Sequence, residues 1–76
     1  MKRFETIFVR LLDEGTDCWR PTVAEVLFNG GYLLLPTEDY DATDEVWEFV
    51  PGTKVRIESR LLSGGFCKVA TAIFTG

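Results

Sequence analysis

The chain has 76 residues, a formal charge of −4, a pI near 4.6, 46% hydrophobic residues and ten aromatic ones. That is too apolar for a disordered segment, and its negative sign argues against non-specific attraction to nucleic acid or an anionic membrane, both of which need a positive field. No apolar run approaches the roughly 20 residues that span a bilayer as a helix, and two cysteines without a histidine cannot build a zinc site.

In chain order, residues 4–12 read as the first strand, with Ile7, Val9 and Leu11 on one face and Thr6, Phe8 and Arg10 on the other. The opening Met-Lys-Arg followed by apolar residues has the start of a secretion signal. Glu5, Arg10, Asp13 and Glu14 interrupt it, and no small-residue cleavage site follows, so the expectation is a strand in a cytoplasmic protein. Residues 13–17 carry turn chemistry around Gly15. The chain extends again from Cys18. Pro21 lacks an N–H for a ladder, which places that part of the strand at an edge or bulge.

Residues 23–28 continue the second strand, and Glu25 predicts that Ala24, Val26 and Phe28 face inward. Asn29-Gly30-Gly31 predicts a type I′ hairpin turn. Residues 32–35 return as a short apolar strand that ends at Pro36. Pro51-Gly52 marks a turn. Residues 54–62 alternate most cleanly: Val55, Ile57 and Leu61 on one face, Lys54, Arg56, Glu58 and Arg60 on the other. Ser63-Gly64-Gly65 predicts a second tight turn before a last strand over residues 66–74. Five strands with short turns predict an all-β, single-domain chain over residues 1–76, a small antiparallel five-stranded barrel of SH3-like type in which closure hides the edges. No longer helix-period segment, internal repeat or linker is present.

Residues 37–52 break this pattern. They hold Glu38, Asp39, Asp41, Asp44, Glu45 and Glu48 without a basic residue, interleaved with Tyr40, Trp47 and Phe49. The expectation is an acidic, aromatic loop or a single turn of helix capped by Asp41 or Thr43.

Two resemblances attach to these stretches. FVRLLDEGTDCWRP, YLLLP, YDATDEVWEF and PGTKVR together cover most of the chain. Their LLDEGTDxWRP and WEFxPGxxVR patterns resemble a family of small uncharacterised bacterial proteins, which implies a stand-alone bacterial domain and carries no activity with it. YDATDEVWEFVPGTKVRI is also similar to the acidic RT-loop stretch of SH3 domains. Trp19 and GGYLLLPTEDY resemble later SH3 features but precede the acidic loop here, and the second tryptophan of the usual pair is missing. A permuted relative and a chance match both remain open.

The chemistry available is limited. Without histidine there is no ordinary proton shuttle, and Cys18 beside Arg20 has no visible base, so no catalytic residues are assigned and the expectation is a non-enzymatic chain. Asp39, Asp41, Thr43, Asp44 and Glu45 are oxygen donors, but the glycine and distal glutamate of an EF-hand loop are lacking; no metal and no cofactor are assigned. Cys18 and Cys67 read as free thiols unless their strands lie side by side.

Protein binding uses the most residues. Tyr40, Asp41, Asp44, Glu45, Trp47 and Glu48, with Trp19, compose an acidic patch with aromatic anchors suited to a basic partner, as an immunity-type or inhibitor protein would need. An exposed Trp47 supports that patch; Trp47 and Phe49 folding back to plug the barrel is the competing expectation. The alternative is nucleic-acid binding on a face made by Lys54, Arg56 and Arg60, joined by Lys68 across the hairpin. A structural role, as a subunit of a larger assembly or as a homodimer paired at the Pro21 edge, is the third.

Overall fold

The computed structural model describes residues 2–12, 18–38, 40–62 and 64–75. The turn expected over residues 13–17, together with Asp39 and Ser63, lies outside them. Five strands, β1 (Arg3–Leu11), β2 (Cys18–Val26), β3 (Tyr32–Leu34), β4 (Lys54–Leu62) and β5 (Gly65–Ile73), form a closed barrel in sequence order. Neighbours pair antiparallel except β1 and β5, which meet in parallel at Phe8 and Val69. This is the small five-stranded all-β barrel expected, with its antiparallel neighbours closed by one parallel contact. Strands that alternate in direction leave the first and the fifth pointing the same way.

The core follows the period-two pattern. Ile7, Val9 and Leu11 from β1, Ala24 from β2, Leu34 from β3, Val55 from β4 and Ala70 from β5 are buried together with Trp47. Each aliphatic side chain of Val or Leu size contributes about 1.5–3 kcal/mol on leaving water. Thr22 is the one buried polar side chain among the described residues, and its hydroxyl donates to the Leu35 carbonyl at 2.6 Å.

Pro21 sits within β2, opposite Phe8. The Val23 carbonyl accepts from Leu35 N, on the side of β2 away from β1. Two residues earlier, the Pro21 nitrogen faces that same side, where β3 does not reach, because β2–β3 pairing begins at Ala24. The missing N–H therefore removes no ladder bond.

The first hairpin differs from the expected turn. Gly30 N donates to Leu27 O and Leu27 N to Gly31 O, which encloses the three residues Phe28, Asn29 and Gly30, and Gly30 alone of the two glycines has a positive φ, 98°. This is the bonding of a three-residue loop with a bulge at its glycine rather than a two-residue type I′ turn. Phe28 thereby leaves the strand and stands fully exposed, at 103% of its reference area, correcting its inward assignment. Gly31 lies under the Phe74 ring: a Cβ at this position would meet ring carbons at 2.6–3.0 Å.

On β4 the outer row of Lys54, Arg56, Glu58 and Arg60 is exposed as expected, and Val55 is buried. The inner row does not stay covered. Ile57 is half-buried and Leu61 is 70% exposed, because the β4–β5 hairpin runs past the end of β3, whose pairing with β4 stops at Val55. Leu62 pairs with Gly65 across the tight turn predicted there. Cys18 and Cys67 form no disulfide; β1 lies between their strands, so the side-by-side arrangement it needs does not occur.

Candidate functional site

The acidic stretch folds back over the barrel end formed by Leu11 and Cys18. Its first part is a turn: Asp44 N and Glu45 N both donate to Asp41 O, at 2.9 and 3.0 Å. The Asp41 carboxylate caps it, accepting from Thr43 N at 2.9 Å and from the Thr43 hydroxyl at 2.7 Å. Those two bonds hold the Asp41 carboxyl below its ordinary pKa, since they favour the charged form. Of the two expected caps, Asp41 is the one used.

After the turn the chain runs alongside the end of β1. Leu12 N donates to Val46 O at 2.7 Å, Glu48 N donates to Arg10 O at 2.9 Å, and Trp47 makes a bridge to Leu11 between them. This short added strand fixes the direction of the side chains: Trp47 turns inward, and Val46 and Glu48 turn outward. Trp47 is only 2% exposed and belongs to the core cluster, against which Tyr40 and Phe49 are packed. The Tyr40 ring meets Trp47 edge-on, with centroids 4.8 Å apart and an interplanar angle of 69°.

Glu45 ties this plug to β2. Its carboxylate accepts from Trp47 Nε1 at 2.8 Å and from Arg20 Nε at 3.2 Å, and it forms an ion pair with Arg20 Nη2. The indole bond first, then the guanidinium, hold the Glu45 carboxyl below its ordinary value. Arg20 stands opposite Val9, in the inward-facing row of β2 that also holds Thr22 and Ala24, and its guanidinium meets the Glu45 carboxylate of the loop. The sequence offers Arg20 as a neighbour of Cys18 and, with Trp19 and Pro21, as a strand start that could join the protein contact; no local pattern marks it as the partner of Glu45. Its partner is 25 residues away.

The expected patch is thereby divided. Asp41, Asp44 and Glu48 are exposed, as a binding surface requires, whereas Tyr40 and Glu45 are half-buried. Trp47 is core, which corrects its assignment as an exposed anchor: without it the barrel end would be open to water. Trp19 is half-buried on the outer face of β2, opposite Arg10, and alternation separates it from the Arg20–Glu45–Trp47 cluster, so it forms no groove with Tyr40. The apolar surface that remains beside the acids belongs to Leu12 and Val46, each 41% exposed, and to Val50.

The basic face is divided as well. Lys54, Arg56 and Arg60 share an exposed row, in which Arg60 lies 3.9 Å from Glu58. Lys68 pairs with Ser59, one residue out of step with Arg60, so it emerges on the opposite face of the hairpin and binds Glu5 of β1. That bond raises the Lys68 pKa. Its assignment to the Lys54 row is therefore corrected by register. Opposite Arg56, Glu58 and Arg60 on β5 stand Ala72, Val69 and Cys67, none of them a ring on which a base could stack. A shallow depression of about 410 Å³ runs over Arg56, Ile57, Glu58, Thr71 and Ala72, where the β4–β5 register shifts.

Among the described residues no three Cys, Asp or Glu side chains converge as metal ligands, and no helix is long and apolar enough to cross a membrane. Comparison of the chain with family models, with curated proteins and with solved structures returned no match.

Proposed function

We propose that this chain is a non-enzymatic binding domain that contacts a basic surface of another protein through the outer side of its acidic loop. The observation that carries the reading is the division of labour within residues 40–48. Tyr40, Glu45 and Trp47 fasten the loop to β1 and β2, and Asp41, Asp44 and Glu48 are left in water on a backbone held at both sides. A fixed row of carboxylates beside the exposed Leu12 and Val46 offers charge complementarity without loop ordering on association. The aromatic rings act on the loop and not on the partner. Masking of a basic enzyme surface, as an inhibitor or immunity protein does, suits an acidic domain of this size.

The test is affinity capture from a lysate of the source cell with wild type and with Asp44→Lys/Glu48→Lys, two side chains that hold none of the loop's bonds. Loss of one basic partner on charge reversal, with the circular dichroism unchanged, is the expected result. Recovery of the same proteins by both forms would remove the loop as the working surface. The alternative of nucleic-acid binding rests on the exposure of Lys54, Arg56 and Arg60. It predicts binding to single strands that weakens steeply with salt, and Glu58 within the row and the absence of a stacking ring opposite it weigh against it.

A further inference from the structure

The β4–β5 hairpin has an open edge. Lys54 O accepts from Phe74 N, so the main chain of Lys54 points toward β5, and by alternation that of Val55, Ile57, Ser59 and Leu61 points the other way. Val55 finds Tyr32 of β3 on that side. Beyond it β3 has ended, and no described strand pairs with Ile57, Ser59 or Leu61 there. Such a row of main-chain donors and acceptors is a template for another strand.

The sequence along this edge is complementary to itself. Set antiparallel to a second β4 about a two-fold axis at Ser59, the edge-facing residues fall opposite one another: Ser59 on Ser59, Ile57 on Leu61, Leu61 on Ile57. Glu58 then falls opposite Arg60, and Arg60 opposite Glu58, on the outer face. On the inner face the Ile57–Leu61 pairs extend a row already begun within the hairpin, where Leu61 faces Phe66. Leu61 and Phe66 are 70% and 77% exposed in the single chain. One register therefore satisfies hydrogen-bonding parity, charge and apolar pairing together, and a shift by one residue loses all three.

We propose that two copies of this chain associate through β4, residues 57–61, in an antiparallel strand pair centred on Ser59, which joins the two hairpins into one four-stranded sheet. The partner is a second copy because the Glu58/Arg60 and Ile57/Leu61 pattern matches its own reverse. The dimer is built on β4, not on the Pro21 stretch of β2, and does not depend on the function proposed for the acidic loop.

Sedimentation equilibrium of the wild-type chain from about 1 µM to about 1 mM, the range in which a small interface registers, measures the association. The wild type is expected to pass from monomer to dimer. Glu58→Arg alone and Arg60→Glu alone each place like charges opposite at two symmetric points and weaken the dimer about ten-fold. The double exchange Glu58→Arg/Arg60→Glu restores the wild-type constant. These side chains are exposed, so the variants keep the fold, which circular dichroism checks. Ser59→Pro removes the central N–H on the open side and is expected to leave monomer. A wild type that stays monomeric throughout overturns the proposal, as does a dimer indifferent to the single reversals or a double exchange no better than either of them.

Discussion

Trp47 and Glu45, two residues apart in the chain, are joined by a 2.8 Å hydrogen bond from the indole Nε1 to the carboxylate that also holds Arg20 of β2. The loop is thus fastened by one charged group with two donors. Its folded pKa lies below the ordinary 4.5, so in acid the native state binds fewer protons than the unfolded chain. The stabilisation it provides is complete above that value and is lost as pH falls through the folded pKa. Glu45→Gln should therefore be less stable than wild type at pH 7, with the gap in urea midpoint closing toward pH 3. A gap that stays constant with pH would show that the carboxylate charge contributes nothing.

Removing the plug itself is expected to be severe. Trp47→Ala should cost about 3–5 kcal/mol, a large part of what a domain this small possesses. Trp47→Phe keeps most of the apolar volume and loses the bond to Glu45, so its deficit should be smaller and should shrink in acid. In a Trp19→Phe background, acrylamide should quench the remaining Trp47 fluorescence poorly; efficient quenching would place the indole in water.

Thr22 offers a cleaner test of a single buried bond. Thr22→Val keeps the shape and removes the donor to Leu35 O, at a cost of about 1–3 kcal/mol for the carbonyl left without it. Thr22→Ser should retain most of the bond. Equal stability of all three forms in guanidinium would mean that water replaces the hydroxyl freely.

At Gly31 the expected strain comes from a neighbour, since its φ is not among the positive ones. Gly31→Ala drives a methyl group into the Phe74 ring and should destabilise by about 1–3 kcal/mol. The penalty should fall in a Phe74→Ala background. A double-mutant cycle that shows no coupling would contradict the contact.

These sites differ in how far the sequence disclosed them. Ile7, Val9, Leu11, Ala24 and Val55 could be assigned inward from alternation alone: Ile7, Val9 and Ala24 lie mid-strand, Leu11 at the end of β1 is bridged by Trp47, and Val55 is paired on both sides by Tyr32 and Ile73. Alternation also gave Leu61 its face, but a face is buried only if something covers it, and β3 is too short to do so. Phe28 was misassigned because the strand ended two residues earlier, in a turn whose geometry depends on how the two flanking strands pair. Whether Trp47 was plug or anchor depended on Leu11 and Arg20, distant in sequence, and no local pattern encodes that meeting. For Lys68, the deciding fact was a register that pairs it with Ser59 rather than with Arg60.

The parallel contact of Phe8 with Val69 also bears on how the barrel is reached from the unfolded chain. The hairpins β1–β2, β2–β3 and β4–β5 can each zip from a nearby turn, whereas this contact joins residues 61 positions apart and carries a far larger loop-closure entropy. The last seam to shut is the one between the first and fifth strands. A β1 made before β5 has one side unpaired, and Arg3, Glu5 and Arg10 along it are the kind of charges that disfavour pairing of such an edge with other chains.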